Sequence, residues 1–318
     1  MAHNINSLMY VGEKPWHSLG VYVGEKEITS REAIIKAGLD WEVELVPLVT
    51  ATGLEVPMKQ AVVRKDTQTT LGVVGNSYQP YQNTEAFAFL DSLVGKESAV
   101  YHTAGSLGNG EKTWILIKLP EVLRIGNGDD IIEKYFLATN SHDGVYSIKH
   151  LLTPVRVICQ NTLHQALSSG LAQSVKHTGQ TQRHLDDLRG LLLESNIFFT
   201  KLQEMSGLML QKKLSYEERN DYYTKVLNIA DEVGEITKRG QKVLQTVQML
   251  EECGKGTELP GVKGSLWGSY NAVVEYIDFS RVVKGSKTDP SKRIDSIVFG
   301  NGRNVKESAW DNALALIS

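Results

Sequence analysis

The fold of this chain is set by Trp114–Leu167, which reads WILIKLPEVLRIGNGDDIIEKYFLATNSHDGVYSIKHLLTPVRVICQNTLHQAL. The stretch contains short apolar runs rich in β-branched residues, separated by two turn-forming sequences, GNGD at Gly126–Asp129 and SHDG at Ser141–Gly144. A segment with helical character follows the last run. We therefore predict an antiparallel β-meander that leads into a helix, with the polar residues of chemical interest at its two joints, around His142 and Asn161.

The residues before this stretch predict a helix and further strands. Thr29 and Glu32 form a capping-box pattern that opens a short helix, and Gly38 ends it. Gln60–Arg64 and Leu71–Val74 are strand-like runs joined by a polar turn. We expect these two strands to extend an antiparallel sheet.

The residues after the stretch have the pattern of helices. Apolar side chains recur at helical spacing, the pattern meets no proline before Pro260, and Ser215 with Glu218 forms a second capping box. The predicted fold class is α+β, with an antiparallel β-sheet or meander and helices in the N-terminal half and a mainly helical C-terminal half. We divide the chain into a sheet domain with an N-terminal arm, residues 1–178, and a helical region with a basic loop, residues 179–318. The two parts are either separate domains or one continuous core.

The composition is that of an ordinary globular protein, with 318 residues, of which 41% are hydrophobic and 22% charged. Cys159 and Cys253 are far apart and form no CxxC pair, so neither a disulfide framework nor a zinc site is indicated. The HExxH, EF-hand and glycine-rich nucleotide-binding patterns are also missing. We therefore expect no metal and no cofactor.

The sequence restricts the cellular location and the class of partner less than it restricts the fold. The first twenty residues contain polar, charged and proline residues where a signal peptide needs an apolar core, and no apolar run approaches ~18 residues. We expect a cytoplasmic location and no membrane contact. The formal net charge of −3 does not exclude nucleic acid, because a local basic face can still bind phosphate.

One alternative is an enzyme whose chemistry depends on His142 and Asp143. These residues, together with Cys159, superficially supply a base, an acid and a nucleophile. Strand alternation, however, places Cys159 with Val155 on one face and Arg156 on the other, where a guanidinium can meet a phosphate. The simpler interpretation of SHDG is a hairpin turn.

A second candidate is an anion site at the predicted helix start. Asn161 and Thr162 fit an N-cap, and the free N–H groups of a helix N-terminus attract phosphate. Lys149 and Arg156 lie in the strand that precedes it. The capping and phosphate-binding interpretations are compatible.

The most basic window of the chain is Ser280–Lys306, which reads SRVVKGSKTDPSKRIDSIVFGNGRNVK. Its glycine, serine, aspartate and proline content predicts loops, and flexible basic loops can contact a phosphate backbone. A solvated surface loop is the alternative interpretation. The candidate phosphate contacts of this window are Lys284, Lys287, Lys292, Arg293 and Arg303.

Six strings distributed along the chain are distinctive in combination. They are PWHSLG (Pro15–Gly20), AGLDW (Ala37–Trp41), TNSHDG (Thr139–Gly144), TPVRVICQNTL (Thr153–Leu163), NAVVEYID (Asn271–Asp278) and FGNG (Phe299–Gly302). Together they resemble the proteins of phages, prophages and plasmids that are grouped as a domain of unknown function, or phage/plasmid-like protein family. The resemblance spans nearly the whole chain and implies a mobile-element context, but it supplies no catalytic residue.

The predicted meander and helix are also similar in topology to the core of phage single-strand annealing proteins, which bind DNA along a groove in oligomeric rings. This analogy implies that Lys149, Arg156 and Asn161 hold single-stranded phosphates with the basic window, while Trp114 and Tyr146 stack bases. The first hypothesis is thus a single-stranded nucleic-acid-binding protein, an annealing or recombination factor that forms a homo-oligomer.

Two further hypotheses stay open. The second is a non-enzymatic mobile-element protein that binds a host protein, for instance to blunt defence. The third is a hydrolase or nucleotide-handling enzyme that uses His142 and Asp143.

Overall fold

The computed structural model describes residues 5–11, 21–24, 28–88, 90–91, 99–156, 161–162, 172–175, 197–287, 291–298 and 300–318. Antiparallel sheets occupy the N-terminal half and helices the C-terminal half, which confirms the predicted α+β fold class. The proposed boundary at residue 178 and Cys159 lie outside the described residues, and the division into 1–178 and 179–318 stays a prediction.

The secondary structure follows the order of the chain. The strands are β1 (Ile5–Tyr10), β2 (Val21–Tyr22), β3 (Val43–Val49), β4 (Glu55–Arg64), β5 (Thr69–Gly75), β6 (Val100–Leu107), β7 (Lys112–Ile125), β8 (Asp130–Ser141), β9 (Ile148–Arg156), β10 (Asn161–Thr162) and β11 (Ala172–Val175). The helices are α1 (Ser30–Lys36), α2 (Asn83–Ala88), α3 (197–211), α4 (Tyr216–Leu227), α5 (Lys238–Cys253), α6 (Leu266–Glu275), which continues into a π turn (Tyr276–Ser280), α7 (Ser291–Val298) and α8 (Asn301–Ile317).

The main sheet is built on the predicted meander. Its order is β10-β9-β8-β7-β6-β1-β2, with β11 also paired to β9, and neighbours from β6 to β9 are antiparallel. The GNGD sequence makes the β7–β8 turn as predicted, with positive φ at Gly126 and Gly128. The β7–β8 register shifts between Lys118 and Val122, where Pro120 has no N–H for the ladder.

The strands β3, β4 and β5 form a second sheet of three strands. The strands predicted at Gln60–Arg64 and Leu71–Val74 are confirmed, and with β3 they form an antiparallel sheet. This sheet is separate from the main sheet because it buries an apolar cluster of its own, while β1 occupies the edge of β6. The members of that cluster are Trp41, Val43, Val62, Leu71 and Val74.

The predicted helix start at Asn161 is wrong. Asn161 pairs with Arg156, and Thr162 pairs with Val155, as the short antiparallel strand β10. Asparagine serves turns as well as caps, and threonine favours strands, so the available edge of β9 decides the conformation. The capping-box helices at Thr29 and Ser215, by contrast, form as predicted.

The main hydrophobic core joins the main sheet to the C-terminal helices. Ile115 and Phe136 from the sheet and Trp267 and Trp310 from the helices are all fully buried in one cluster. The Trp267 Nε1–H donates to a carboxylate oxygen of Asp130 at 2.8 Å, which fixes α6 against the start of β8. No helix within the described ranges is long and apolar enough to cross a bilayer.

Candidate functional site

His142, at the SHDG joint, is fully buried. Its Nε2 lies 3.1 Å from Asn83 Oδ1, and its ring centroid lies 5.3 Å from that of Trp41. Because the Asn83 amide nitrogen donates to the Leu39 carbonyl, Asn83 Oδ1 must accept, and His142 Nε2 therefore donates. His142 thus holds α2 against the end of β8.

Asn83 is the centre of a buried polar network. Its Oδ1 accepts from Thr113 Oγ1 at 3.0 Å and from Asn140 Nδ2 at 3.2 Å, in addition to His142. Asn140 Nδ2 also donates to the Tyr81 carbonyl at 2.9 Å. Buried polar groups that satisfy one another rigidify the surrounding structure. The network therefore fixes the positions of α2, β7 and β8 relative to one another.

Asp143 organises the SHDG turn. Its Oδ1 accepts from Ser141 Oγ at 2.7 Å, from the Val145 N–H at 2.7 Å and from the Tyr146 N–H at 3.1 Å. This arrangement is that of an Asx turn. The small sheet packs directly against it, since a Cβ on Gly72 would lie 2.5 Å from the Asp143 carbonyl oxygen. All of these contacts of Asp143 serve the turn.

The turn between β6 and β7, residues 108–111, is held by the small sheet and by the SHDG joint. Gly108 and Gly110 have positive φ angles that the turn requires. Arg64 stacks over the Trp41 ring at 4.4 Å and donates from Nη1 to the Asn109 carbonyl at 2.8 Å. The His142 N–H donates to the Glu111 carbonyl at 2.8 Å.

This turn forms one wall of a groove with a volume of about 560 Å³, which we call the basic groove. The opposite wall consists of α7, the turn before it and the first residues of α8. Three lysines, Lys112, Lys284 and Lys292, line the groove. The other lining residues are Leu107, Gly108, Asn109, Glu111, Val283, Asp295, Ser296, Gly300 and Asn301.

Both carboxylates of the groove already have partners. Glu111 accepts from the backbone N–H and from the side-chain amide of Asn109. Asp295 Oδ1 lies 2.7 Å from Lys112 Nζ. Lys284 and Lys292 are exposed, and no carboxylate in the described part of the chain forms an ion pair with either.

The second wall is anchored by the π turn Tyr276–Ser280. Arg293 of α7 donates to the Asp278 carbonyl at 3.1 Å and to the Arg281 carbonyl at 2.8 Å. Lys306 of α8 forms a buried ion pair with the Asp278 carboxylate at 2.7 Å. Arg293, which we expected to contact phosphate, thus anchors this wall through two bonds to backbone carbonyls.

Tyr146 and Lys149 flank the groove on the side of Lys112. The Nζ atoms of Lys112 and Lys149 lie 4.3 Å and 5.9 Å from the centroid of the Tyr146 ring. Burial, and next the positive charge of Arg303, lower the pKa of Lys149. Arg303 forms an ion pair with Glu307 at 2.6 Å. The flank carries positive charge that Glu307 offsets in part.

The structure brings together only some of the candidate residues. Tyr146, Lys149, Lys284, Lys292 and Arg303 lie at or beside the basic groove, and Lys287 lies exposed in the turn after Lys284. The basic window is not mainly loop, since α7 and α8 occupy much of it.

The other candidates lie elsewhere. Arg156 is seven positions along β9 from Lys149, which separates their backbones by roughly 23 Å at about 3.3 Å per residue. Asn161 and Thr162 pair with that far end of the strand. Trp114 is only 6% exposed and packs with Leu137 and Leu151, so the expectation of an exposed stacking residue is wrong there.

Sequence reasoning missed two residues, Lys112 of the groove and Asn83 of the buried network. Lys112 is a single lysine after a turn, and no local pattern marks it. Asn83 lies at the start of α2, and its role depends on residues 30 to 59 positions away. Within the described ranges, no three His, Cys, Asp or Glu side chains are grouped as metal ligands would be.

Comparison with known proteins identifies a family. A family model described as "Domain of unknown function (DUF932)" matches residues 70–298, which is more than half of the chain and includes both walls of the basic groove up to α7. No curated protein and no solved structure matches the chain. The chain therefore belongs to the family described as Domain of unknown function (DUF932).

Proposed function

We propose that this protein binds single-stranded nucleic acid by its phosphate backbone, with the basic groove as the binding site. The observation that carries the proposal is the convergence of Lys112, Lys284 and Lys292 on one cavity of about 560 Å³. Pockets of about 300–1,000 Å³ accept ligands of the size of a drug molecule. In a duplex the two backbones are held apart by paired bases, so a cavity of this size favours a single strand.

The local charge supports the proposal although the whole chain is acidic. Of the two carboxylates in the groove, Glu111 is bonded to the turn amides and Asp295 is paired with Lys112. The three lysines outnumber the two carboxylates of the lining, and Lys284 and Lys292 are its exposed cations. Each phosphate that they neutralise would release bound counterions, which favours association at low salt.

The resemblance to proteins of phages and plasmids gives the proposal a biological context. A strand-binding protein of a mobile element would act in the cytoplasm during annealing or recombination, and the analogy with annealing proteins favours a homo-oligomer. The burial of His142 and the turn contacts of Asp143 weigh against the alternative of a hydrolase.

The test is the affinity for a fluorescent single strand at increasing salt. The variant Lys284→Gln/Lys292→Gln should bind at least about tenfold more weakly at low salt, and its log–log salt dependence should be flatter by about 1.4, or 0.7 per phosphate contact. The control is Lys225→Gln/Lys242→Gln, which removes two exposed lysines of α4 and α5. A wild-type protein that binds no single strand at low salt overturns the proposal.

A second candidate function, binding of a host protein, is favoured by the tip of the β3–β4 hairpin. Leu54 is 68% exposed and Met58 is 73% exposed. Exposed apolar residues in a group often mark protein-interaction surfaces. A pulldown in which Leu54→Ser/Met58→Ser loses a stoichiometric host protein would support this function, and retention of that protein by the variant would remove it.

A further inference from the structure

We infer that the basic groove recognises the phosphates of a strand and makes no stacking contact with its bases, so that its ligand is a phosphodiester backbone of any base composition. This inference rests on the proposed function and specifies the class of ligand. It differs from the usual design of sequence-independent single-strand binders, in which aromatic side chains supply stacking platforms.

Apart from the carboxylates of Glu111 and Asp295, the polar side chains that line the groove are of kinds that bind phosphate. Lys112, Lys284 and Lys292 offer ammonium donors, and Asn109, Asn301 and Ser296 are the neutral polar residues of the lining. Ammonium groups, amides and hydroxyls are the side-chain groups that contact phosphate oxygens in nucleic-acid complexes. None of the described lining residues is aromatic.

The aromatic residue beside the groove is already in contact with cations. The Tyr146 ring has Lys112 Nζ at 4.3 Å and Lys149 Nζ at 5.9 Å from its centroid, which are cation–π distances. A base that stacked on the ring face covered by Lys112 would have to displace this ammonium group. Tyr146 therefore holds the lysines in position and does not stack on a base.

Trp114 cannot replace Tyr146 as a platform. It is 6% exposed, and its neighbours Leu107, Leu137 and Leu151 form an apolar cluster with it. Exposing the indole would require this cluster to open. The groove thus has lysines at both walls and no described ring on which a base could stack.

The physical consequence is a binding free energy that is almost entirely electrostatic. Where bases stack on aromatic side chains, loss of stacking weakens binding by roughly fivefold to 150-fold per base. At the basic groove, removal of the bases should have little effect. Removal of the backbone charge should remove binding, because counterion release supplies the affinity.

A competition experiment separates the two contributions. A labelled single strand bound to the full-length protein is displaced by three unlabelled strands of equal length: the same strand, an abasic strand with all phosphates, and a methylphosphonate strand with all bases but a neutral backbone. We expect the abasic strand to compete within about twofold of the normal strand, and the methylphosphonate strand to compete at least about tenfold less well.

The outcomes distinguish this inference from the proposed function. If the labelled strand binds but the abasic strand competes at least about tenfold less well, the bases are read and the inference is wrong while the proposed function stands. Effective competition by the methylphosphonate strand also overturns the inference. If the labelled strand itself does not bind, the proposed function fails.

Discussion

Lys112 and Asp295 are 183 positions apart in the chain, and their side chains form an ion pair of 2.7 Å between the two walls of the basic groove. The Lys112 side chain is 14% exposed and that of Asp295 is 45% exposed. A carboxylate oxygen thus occupies a position on Lys112 that a phosphate oxygen could take. The acid both joins the walls and competes with an anionic ligand.

Replacement of Asp295 by asparagine should strengthen binding. Asp295→Asn removes a negative charge from the groove, frees Lys112 for phosphate and retains the shape of the side chain, so affinity for a single strand should rise by about threefold or more at low salt. Anisotropy titrations of the labelled strand measure the effect. The control Asp221→Asn makes the same change of charge at an exposed position on α4. An equal rise in both variants would show that only the net charge matters.

Loss of the Asn83 side chain should destabilise the fold. Asn83→Ala leaves Thr113, Asn140 and His142 without their shared acceptor in a buried region, and we expect a fall in the free energy of unfolding of about 2–4 kcal/mol. Urea unfolding followed by tryptophan fluorescence provides the measurement. Thr84→Ala, an exposed change in the same helix, should shift the midpoint far less. Equal midpoints for the two variants would contradict the role of the network.

A methyl group at Gly72 should separate the small sheet from the SHDG joint. In Gly72→Ala the new Cβ would lie 2.5 Å from the Asp143 carbonyl oxygen, and we expect a loss of stability of about 2 kcal/mol or more. Gly75→Ala is the matched control on the same strand, because nothing lies within 4 Å of its Cβ position. Thermal unfolding of both variants compares them. A Gly72 variant as stable as the control would show that the strand moves away without cost.

His102 should make the fold less stable in mild acid. Burial, and next the charge of Lys118, lower the pKa of His102 from 6.5 to about 4, although Glu133 acts in the opposite direction. Between these two values the unfolded chain binds a proton that the folded protein does not, so stability falls as the pH drops from 6.5 towards 4, by up to about 3 kcal/mol.

The His102 prediction is measured as the difference between the urea midpoints at pH 7 and pH 4.5. Carboxylates and the other histidines also contribute to this difference in midpoint, in the wild type and in every variant. The His102→Gln protein should therefore lose less stability than the wild type over the same interval. If the two proteins lose the same amount, His102 is not the group responsible.

Local signals in the sequence were sufficient for the elements that local interactions stabilise. The capping boxes at Thr29 and Ser215 bond residues three positions apart, and the GNGD turn depends on its own glycines, so their geometry follows from adjacent residues. Asn161 shows the limit. Its residue type is compatible with a cap, a turn or a strand, and a free edge on β9 selected the strand.

The groove itself depends on long-range contacts that no local pattern contains. The basic window indicated Lys284 and Lys292, but it did not indicate Lys112 as their partner across the groove or Arg293 as a structural residue. Arg293 and Lys292 are adjacent in one basic run, and only the packing of α7 on the π turn gives them different roles. Trp114 and Tyr146 also differ in their surroundings, because Trp114 is buried and Tyr146 lies beside the groove. The sequence alone does not distinguish these two aromatic residues.

The π turn has a consequence for how the groove tolerates changes in chain length. The Arg281 N–H donates to the Tyr276 carbonyl at 2.7 Å, five positions back, so this turn holds one residue more than an α-helical turn. Deleting one residue there would rotate the side chains that follow by about 100° relative to α6. The position of the second wall thus depends on the number of residues in the π turn as well as on their side chains. An insertion or deletion in this turn would move the wall, whereas a substitution would leave the number of residues unchanged.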